Sequence, residues 1–393
     1  MKVLLSDGSG LTARQTATRL WSAGHVVEVL SPDPRCLCRF TRHVRRVHRV
    51  PPYGPDPFAW LDAALGIYGD GGFDALVPTQ EQVAVLAAVP DVLAAQGIRS
   101  AVPPFAALAA VQDKIAAAAT LARLGLPQPR WSTDLDAWDD FPAFLKEPIG
   151  TASGGVRRVE SRDALRRAAR PPQLVQAAVA GPLAMCQSVF DHGALVAFHA
   201  VERTGEGTNG GASHKCSLHL PDARNSLATL GADLSWHGAL SADVILGAEG
   251  PQIIDVNPRL VEPANAFLAG VDLVGAVVSL ATGESTVAQP DGRAGVRTHQ
   301  LLLAVLGAAQ HGGRRDVLHE LVDSLRRTGA YAGSAEELCP TRGDALAVVP
   351  AAAAALATLA RPATWSAFAS TSVANYALTA EGWAQILRRA EHP

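Results

Sequence analysis

Three apolar residues, Val3-Leu4-Leu5, give way to Ser6-Asp7-Gly8-Ser9-Gly10. An apolar-periodic stretch then runs to Gly24, ahead of a second apolar run, Val26-Val27-Glu28-Val29-Leu30. This order of strand, glycine turn, helix and strand predicts a βαβ unit. A helix over 57–65, a strand over 75–77 and a helix over 81–95, ended by Gly97, continue the alternation. It predicts a small parallel sheet covered by helices, ending near 101–104.

A helix over 106–124 comes next, stopped by Gly125 with Pro127 and Pro129 behind it. From 144 to 257, apolar strands alternate with glycine-rich loops at 150–155 and 205–211, which predicts α+β architecture. A Pro/Gly/Asp-containing stretch from 283 to 295 leads into mainly helical sequence with Leu/Ala periodicity, suited to a lid, a cap or a subunit contact. The pattern divides the chain into 1–104, 105–285 and 286–393. That division agrees with its 393 residues, since single cores stop growing at about 250–300 residues.

The formal net charge of −3 excludes an overall basic field for nucleic acid. The local run Arg35, Arg39, Arg42, Arg45, Arg46 and Arg49 reads as a solvated face. The longest apolar stretch, 348–359, is shorter than the roughly 20 residues a membrane span needs. The amino terminus turns polar too early for a secretory signal, so a cytoplasmic protein with no membrane partner is expected. Five scattered cysteines (Cys36, Cys38, Cys186, Cys216, Cys339) suggest reduced thiols, and Cys36-Leu37-Cys38 with His43 and His48 matches no common zinc spacing.

The strongest chemical signal is Ile253-Ile254-Asp255-Val256-Asn257-Pro258-Arg259, preceded by the strand-like run 242–246 and a glycine turn. In a hairpin, Asp243, Asp255 and Asn257 would share one face, because strand residues two apart point the same way. Converging hard oxygens suit Mg²⁺, and Arg259 beside them would hold a phosphoryl group in forked geometry. The bland alternative is a surface hairpin with two solvated aspartates. Lys114 near the start of the 106–124 helix and Lys146 at a strand end add cations. Behind Lys146 runs Glu147-Pro148-Ile149-Gly150-Thr151-Ala152-Ser153-Gly154-Gly155, where Gly150, Ser153, Gly154 and Gly155 let backbone N–H groups approach phosphates. The strand and turn over 174–181 place Gln176 where a polar side chain and exposed backbone would read an adenine edge, or else form a buried strand with a turn.

In this order, from residue 1 to about 285, the features resemble the ATP-grasp superfamily, specifically its carboxylate–amine ligases. The resemblance implies an ATP-grasp fold with an N-terminal Rossmann-like domain and a helical C-terminal segment. ATP would lie between two α+β lobes, with Lys114 and Lys146 on its phosphates and Gln176 and the Val179 backbone at the adenine. Two Mg²⁺ ions, or Mn²⁺, would sit at Asp243, Asp255 and Asn257. Arg259 would contact the γ-phosphate and an acyl phosphate, and 202–213 would form a mobile loop over the substrates. The chain departs from the pattern at Gly181-Pro182-Leu183, which lacks the usual ribose-binding acid, and at Asp255 and Gln176, where glutamate is common.

The implied reaction activates a carboxylate as an acyl phosphate and couples it to an amine, with ADP and phosphate released. Its partners would be small-molecule carboxylates and amines, in a monomer or homo-oligomer. Two readings compete. Gly8-x-Gly10-x-x-Ala13 after a strand, with Asp33 further on, fits the dinucleotide fingerprint of an NAD(P)-dependent oxidoreductase. A non-catalytic ATP-binding protein on the same fold is the other. Glu81, at the mouth of the first unit's last strand in Pro78-Thr79-Gln80-Glu81, admits a role at the site, with a helix N-terminal carboxylate favoured by the dipole as the preferred account.

Overall fold

A computed structural model describes residues 1–151, 154–338 and 343–391. Strands β1 (Lys2–Leu5), β2 (Val26–Ser31), β3 (Val44–Arg49) and β4 (Ala75–Val77) form a parallel sheet in the order β3-β2-β1-β4. The central strands are apolar on both faces because helices cover both, and Val3, Leu4 and Leu5 are completely buried. The chain leaves β1 through Ser6–Gly10, so this turn and the one after β4 lie side by side at one sheet edge: Ser6 N donates to Val77 O at 3.1 Å.

Two expected helices are broken, each by an identifiable residue. The 81–95 helix is split into Val83–Ala87 and Pro90–Ala95. Pro90 lacks the N–H that a continuous helix would use and disfavours helical backbone at Val89 (φ −130°, ψ 48°). The 106–124 helix is split into Phe105–Gln112 and Lys114–Arg123, bent by 103°. Asp113 takes extended backbone and accepts from Ile115 N and Ala116 N, a capping bond that competes with helix continuation. The break makes Lys114 the first residue of a helix and brings its N–H to Pro148 O at 3.0 Å.

Strands β5 (Trp131–Ser132), β6 (Ala143–Lys146), β7 (Val156–Val159) and β8 (Leu174–Ala177) make an antiparallel sheet in the order β5-β8-β6-β7. It has its own small core around Trp138, Leu145, Leu165 and Val175. Strands β9 (Leu183–Asp191), β10 (Ala194–Glu206), β11 (Ala212–Leu218), β12 (Gly238–Gly247), β13 (Gly250–Asn257), β14 (Arg297–His299) and β15 (Ala335–Glu336) make a larger sheet ordered β13-β12-β9-β10-β11-β14-β15. The helix Leu273–Thr282 is apolar almost all round because it packs between this sheet and the first one, with Val3, Val29, Val189, Val274 and Val277 in one core.

The chain after residue 285 supplies β14 and β15 and a helical cluster centred on Val305, Ala309, Val317 and Ala355. Its last part returns to the first sheet. Ser372 Oγ donates to Ser9 O at 2.8 Å, Asn375 Nδ2 to Ser9 Oγ at 3.0 Å, and Thr379 Oγ1 to Gly54 O at 2.7 Å, while Trp383 and Ile386 enter the first sheet's core. Among the described residues no single helix is long and apolar enough to cross a membrane, and the one pair that passes by length and composition together is the bent 105–112 and 114–123. Cys36, Cys38, Cys186 and Cys216 are free thiols, and Cys339 lies outside the described residues.

Candidate active site

In the β12–β13 hairpin Asp243 stands directly opposite Asp255, and Ser241 opposite Asn257. Opposed residues of an antiparallel pair share a face, so Asp243, Asp255 and Asn257 line one side of the hairpin. The sheet register extends that face: Asp243 pairs with Met185, Met185 with Val201, and Arg203 with Lys215. Asp243 is half-buried, and first desolvation, then the facing Asp255 carboxylate, push its pKa up to about 7 against the pull of Arg259 and Lys146. A second cation near these two oxygens would relieve the repulsion, and hard carboxylate and amide oxygens are the donors a divalent ion such as Mg²⁺ takes.

The small sheet supplies the opposite wall. Lys146 Nζ donates to Gln176 Oε1 at 2.6 Å and to Ile254 O at 2.7 Å, crossing from β6 to β13. Burial lowers its pKa, with Asp255 and Asp243 holding it up and Lys114 adding to the depression. Lys114 Nζ donates to Gly150 O at 3.0 Å. The loop closes on itself through Gly154 N to Thr151 O and Glu147 N to Gly155 O, both 2.9 Å. A Cβ at Gly150 would meet Gly154 O at 2.2 Å, and Gly155 has φ +74°, so these two positions require glycine. Ser153 lies outside the described residues.

Gln176 does not face open space. Its side chain is buried and its oxygen is held by Lys146, which leaves the backbone beyond β8 as the exposed polar edge. Val179 lies in that turn beside Gly247, joining the small sheet to the β12–β13 hairpin. Residues 202–213, expected as a mobile loop, are the end of β10, a tight turn at 208–210 and the start of β11. Thr208 Oγ1 donates to Gln310 Oε1 at 3.0 Å, and Gly307 packs so tightly on Gly207 that a Cβ on it would fall 2.7 Å from Gly207 Cα.

Of the two readings of Glu81, the structure favours the site role over the helix N-terminal carboxylate. Its carboxylate faces Arg259, with Nε donating to Oε1 at 3.2 Å, and Gln112 Nε2 donates to its other oxygen at 3.1 Å. Arg259 Nη2 also lies 3.5 Å from Asn257 Oδ1. Glu81 therefore steers the guanidinium from the first sheet's edge; its place at the end of β4 was the only hint in the sequence. Also missed were Lys215, Glu262, Gln300 and Glu337, a buried cluster on the same face, and Tyr376, which no motif marks.

The Gly8–Ala13 turn is built differently from a dinucleotide site. Asp7 Oδ2 accepts from Ser9 N (2.9 Å) and Gly10 N (2.6 Å), so the amides that would meet a pyrophosphate already hold a carboxylate. Ser372 and Asn375 bond to Ser9 above them, and Gln80 Nε2 lies where a Cβ on Gly10 would be 2.3 Å away.

No protein-family model matches the sequence, and no curated protein matches it. Solved structures do match. The chain is similar to the biotin carboxylase domain of 2-oxoglutarate carboxylase from Hydrogenobacter thermophilus, solved with MgADP, ADP and bicarbonate (TM-score 0.59, 16% identity, 75% of this chain and 73% of that one). It is similar as well to a biotin carboxylase from Campylobacter jejuni in a nucleotide complex (TM-score 0.59, 15% identity, 75% and 74%). A third is N5-carboxyaminoimidazole ribonucleotide synthetase from Thermus thermophilus (TM-score 0.58, 18% identity, 76% and 81%). Identities this low speak to architecture alone, and on that ground the chain has the fold of these biotin carboxylase and N5-carboxyaminoimidazole ribonucleotide synthetase structures, the ATP-grasp fold.

Proposed function

We propose that this protein is an ATP-dependent ligase that activates a carboxylate as an acyl phosphate and couples it to an amine, releasing ADP and phosphate. The observation that carries the reading is the facing of Asp243 and Asp255, with Asn257 and Arg259 beside them, across from Lys146 and the Lys114–glycine loop.

In this reading Asp243, Asp255 and Asn257 hold Mg²⁺, which supplies charge neutralisation on the phosphates when bound. Lys114 and the N–H groups of the 150–155 loop take the β- and γ-phosphates. Lys146 leans between them and the carboxylates, kept in line by Gln176. The adenine edge is read by backbone around Val179, because the Gln176 side chain is already engaged. Arg259, oriented by Glu81, meets the carboxylate as it attacks the γ-phosphate and then steadies the acyl phosphate. The amine attacks the activated carbonyl and phosphate leaves, with no side-chain nucleophile required. Bicarbonate, bound in the Hydrogenobacter domain, belongs among the carboxylates to be tried.

Thermal melts of wild type, Lys146→Ala and Asp255→Asn with MgATP, MgADP and NAD(P)(H) test the site. A ligand at a hundredfold excess over its Kd stabilises by about 2.7 kcal/mol. Stabilisation of wild type by MgATP, weakened by both substitutions, is expected, followed by ADP release with a matched carboxylate and amine. Stabilisation by a nicotinamide cofactor alone would overturn the reading. ATP binding with no substrate-dependent ADP release would favour a non-catalytic nucleotide-binding protein.

A further inference from the structure

The face of the large sheet that carries Asp243 also carries a buried ion cluster that the nucleotide chemistry does not use. Lys215 Nζ on β11 donates to Glu337 Oε2 at 2.6 Å and to Glu262 Oε2. Gln300 Nε2 reaches the same two oxygens, at 2.7 Å for Glu337, and Gln15 Nε2 donates to Glu337 at 2.9 Å. These side chains come from the first helix, β11, the loop after β13 and the segment after residue 285. They meet in the interior: Lys215 is 1% exposed, Gln300 0% and Glu337 4%.

The charges do not balance. One ammonium faces two carboxylates where little water can screen them, leaving an excess of one negative charge. The hydrogen bonds do not balance either. Among the described residues Glu337 Oε1 and Gln300 Oε1 are buried without a partner, although the other polar atom of each side chain is used. Both are acceptors, so the missing group is a donor, and the excess charge makes it a cation.

The cluster also adjoins the reacting centre. Glu262 follows Arg259 by three residues and holds left-handed backbone (φ +55°), and its N–H donates to Thr12 Oγ1 at 3.1 Å. Tyr376 lies within electrostatic reach of both Arg259 and Glu262. Through Glu262 the cluster is joined to the segment that carries Arg259.

We propose that this cluster is the subsite for the nucleophile of the ligase reaction: it takes a primary amine as its ammonium, donating to Glu337 Oε1 and Gln300 Oε1, passes one ammonium proton to the Glu337 carboxylate, and leaves a neutral amine whose lone pair attacks the acyl phosphate as phosphate departs. The inference rests on the ligase reading and narrows its second substrate to a cation. It also gives the segment after residue 285 a direct part in choosing substrate, through Gln300 and Glu337.

The test is a set of melts with MgATP present, using free amino acids, amino-acid amides and short diamines, each beside its N-acetylated counterpart. Some primary amines should raise the melting temperature, their acetylated forms should not, and Glu337→Gln should abolish most of that shift while keeping the shift due to MgATP. Glu262→Gln serves as the second variant should Glu337→Gln fail to fold, with the same expectation. Retained MgATP stabilisation with no response to any amine overturns the subsite and leaves the ligase reading standing. Equal responses to free and acetylated amines, or wild-type responses in a folded variant, overturn it as well. Loss of the MgATP shift in wild type itself overturns the ligase reading instead.

Discussion

Lys146 shows how one side chain joins the two walls of the cleft. Its ammonium is buried, and among the described residues Gln176 Oε1 and Ile254 O are the acceptors that stand in for water. Removing one acceptor from a buried charged donor costs its unreplaced solvation, about 1–3 kcal/mol. Gln176→Leu should lower stability in urea by that amount, and Lys146→Met in the same background should restore part of it. Equal midpoints for wild type and Gln176→Leu would show that the lysine finds another acceptor. The same residue illustrates why a polar side chain in a strand is ambiguous: the strand pattern around 174–177 admits both a ligand-reading and a lysine-holding glutamine.

Among the elements, the contact between the C-terminal helix Ala380–Glu391 and the turn before the helix Pro57–Gly71 depends on two glycines. A Cβ on Gly382 would lie 2.2 Å from Gly54 O, and one on Gly54 2.4 Å from Ala377 O. Backbone oxygens cannot swing aside as a side-chain tip can, so even a methyl group must separate the two elements. Gly382→Ala should cost about 1–3 kcal/mol, the range for overpacking, and should expose Trp383 to quenchers. Unchanged quenching and stability would mean that the helix has room to shift. The cap at Asp113 is a second element-level device. Asp113→Ala should cost about 0.5–2 kcal/mol through the lost bonds to Ile115 N and Ala116 N, read from the thermal midpoint, and no change would show that packing alone sets the bend.

At the level of the whole molecule, buried histidines set a pH limit. His199 and His299 are each pushed down to about 4, chiefly by burial, with Lys215 adding to the effect at His199 and His214 at His299. A depressed histidine binds its proton more readily in the unfolded chain. The stability it contributes is thus complete above about 6.5 and is lost as pH falls from there through about 4. A tenfold difference in proton affinity between the two states is worth about 1.4 kcal/mol, so His199 alone accounts for on the order of 3 kcal/mol over that window. Denaturant midpoints between pH 7.5 and 4 should fall, and His199→Gln should flatten the fall; an identical slope in the variant would place the proton uptake elsewhere. His199 Nε2 donates to Asn265 Oδ1, and the Asn265 Nδ2 donates to Thr298 Oγ1 on β14, so this titration acts where the segment after residue 285 joins the large sheet.

What the sequence determined by itself was local. Alternating and continuous apolar runs marked the strands, Gly125 ended its helix, and a two-residue period put Asp243, Asp255 and Asn257 on one face, because backbone periodicity and glycine sterics act over a few residues. Even locally it overran Asp113 and Pro90, where a side-chain cap and a missing N–H interrupt an otherwise helical pattern. The tertiary structure alone decided the pairings that complete the site: Glu81 with Arg259, 178 residues apart, Lys215 with Glu337, 122 apart, and Ser9 with Asn375, 366 apart. Such contacts depend on how whole sheets and helices pack, and burial then fixes which charge meets which. No spacing along the chain encodes that.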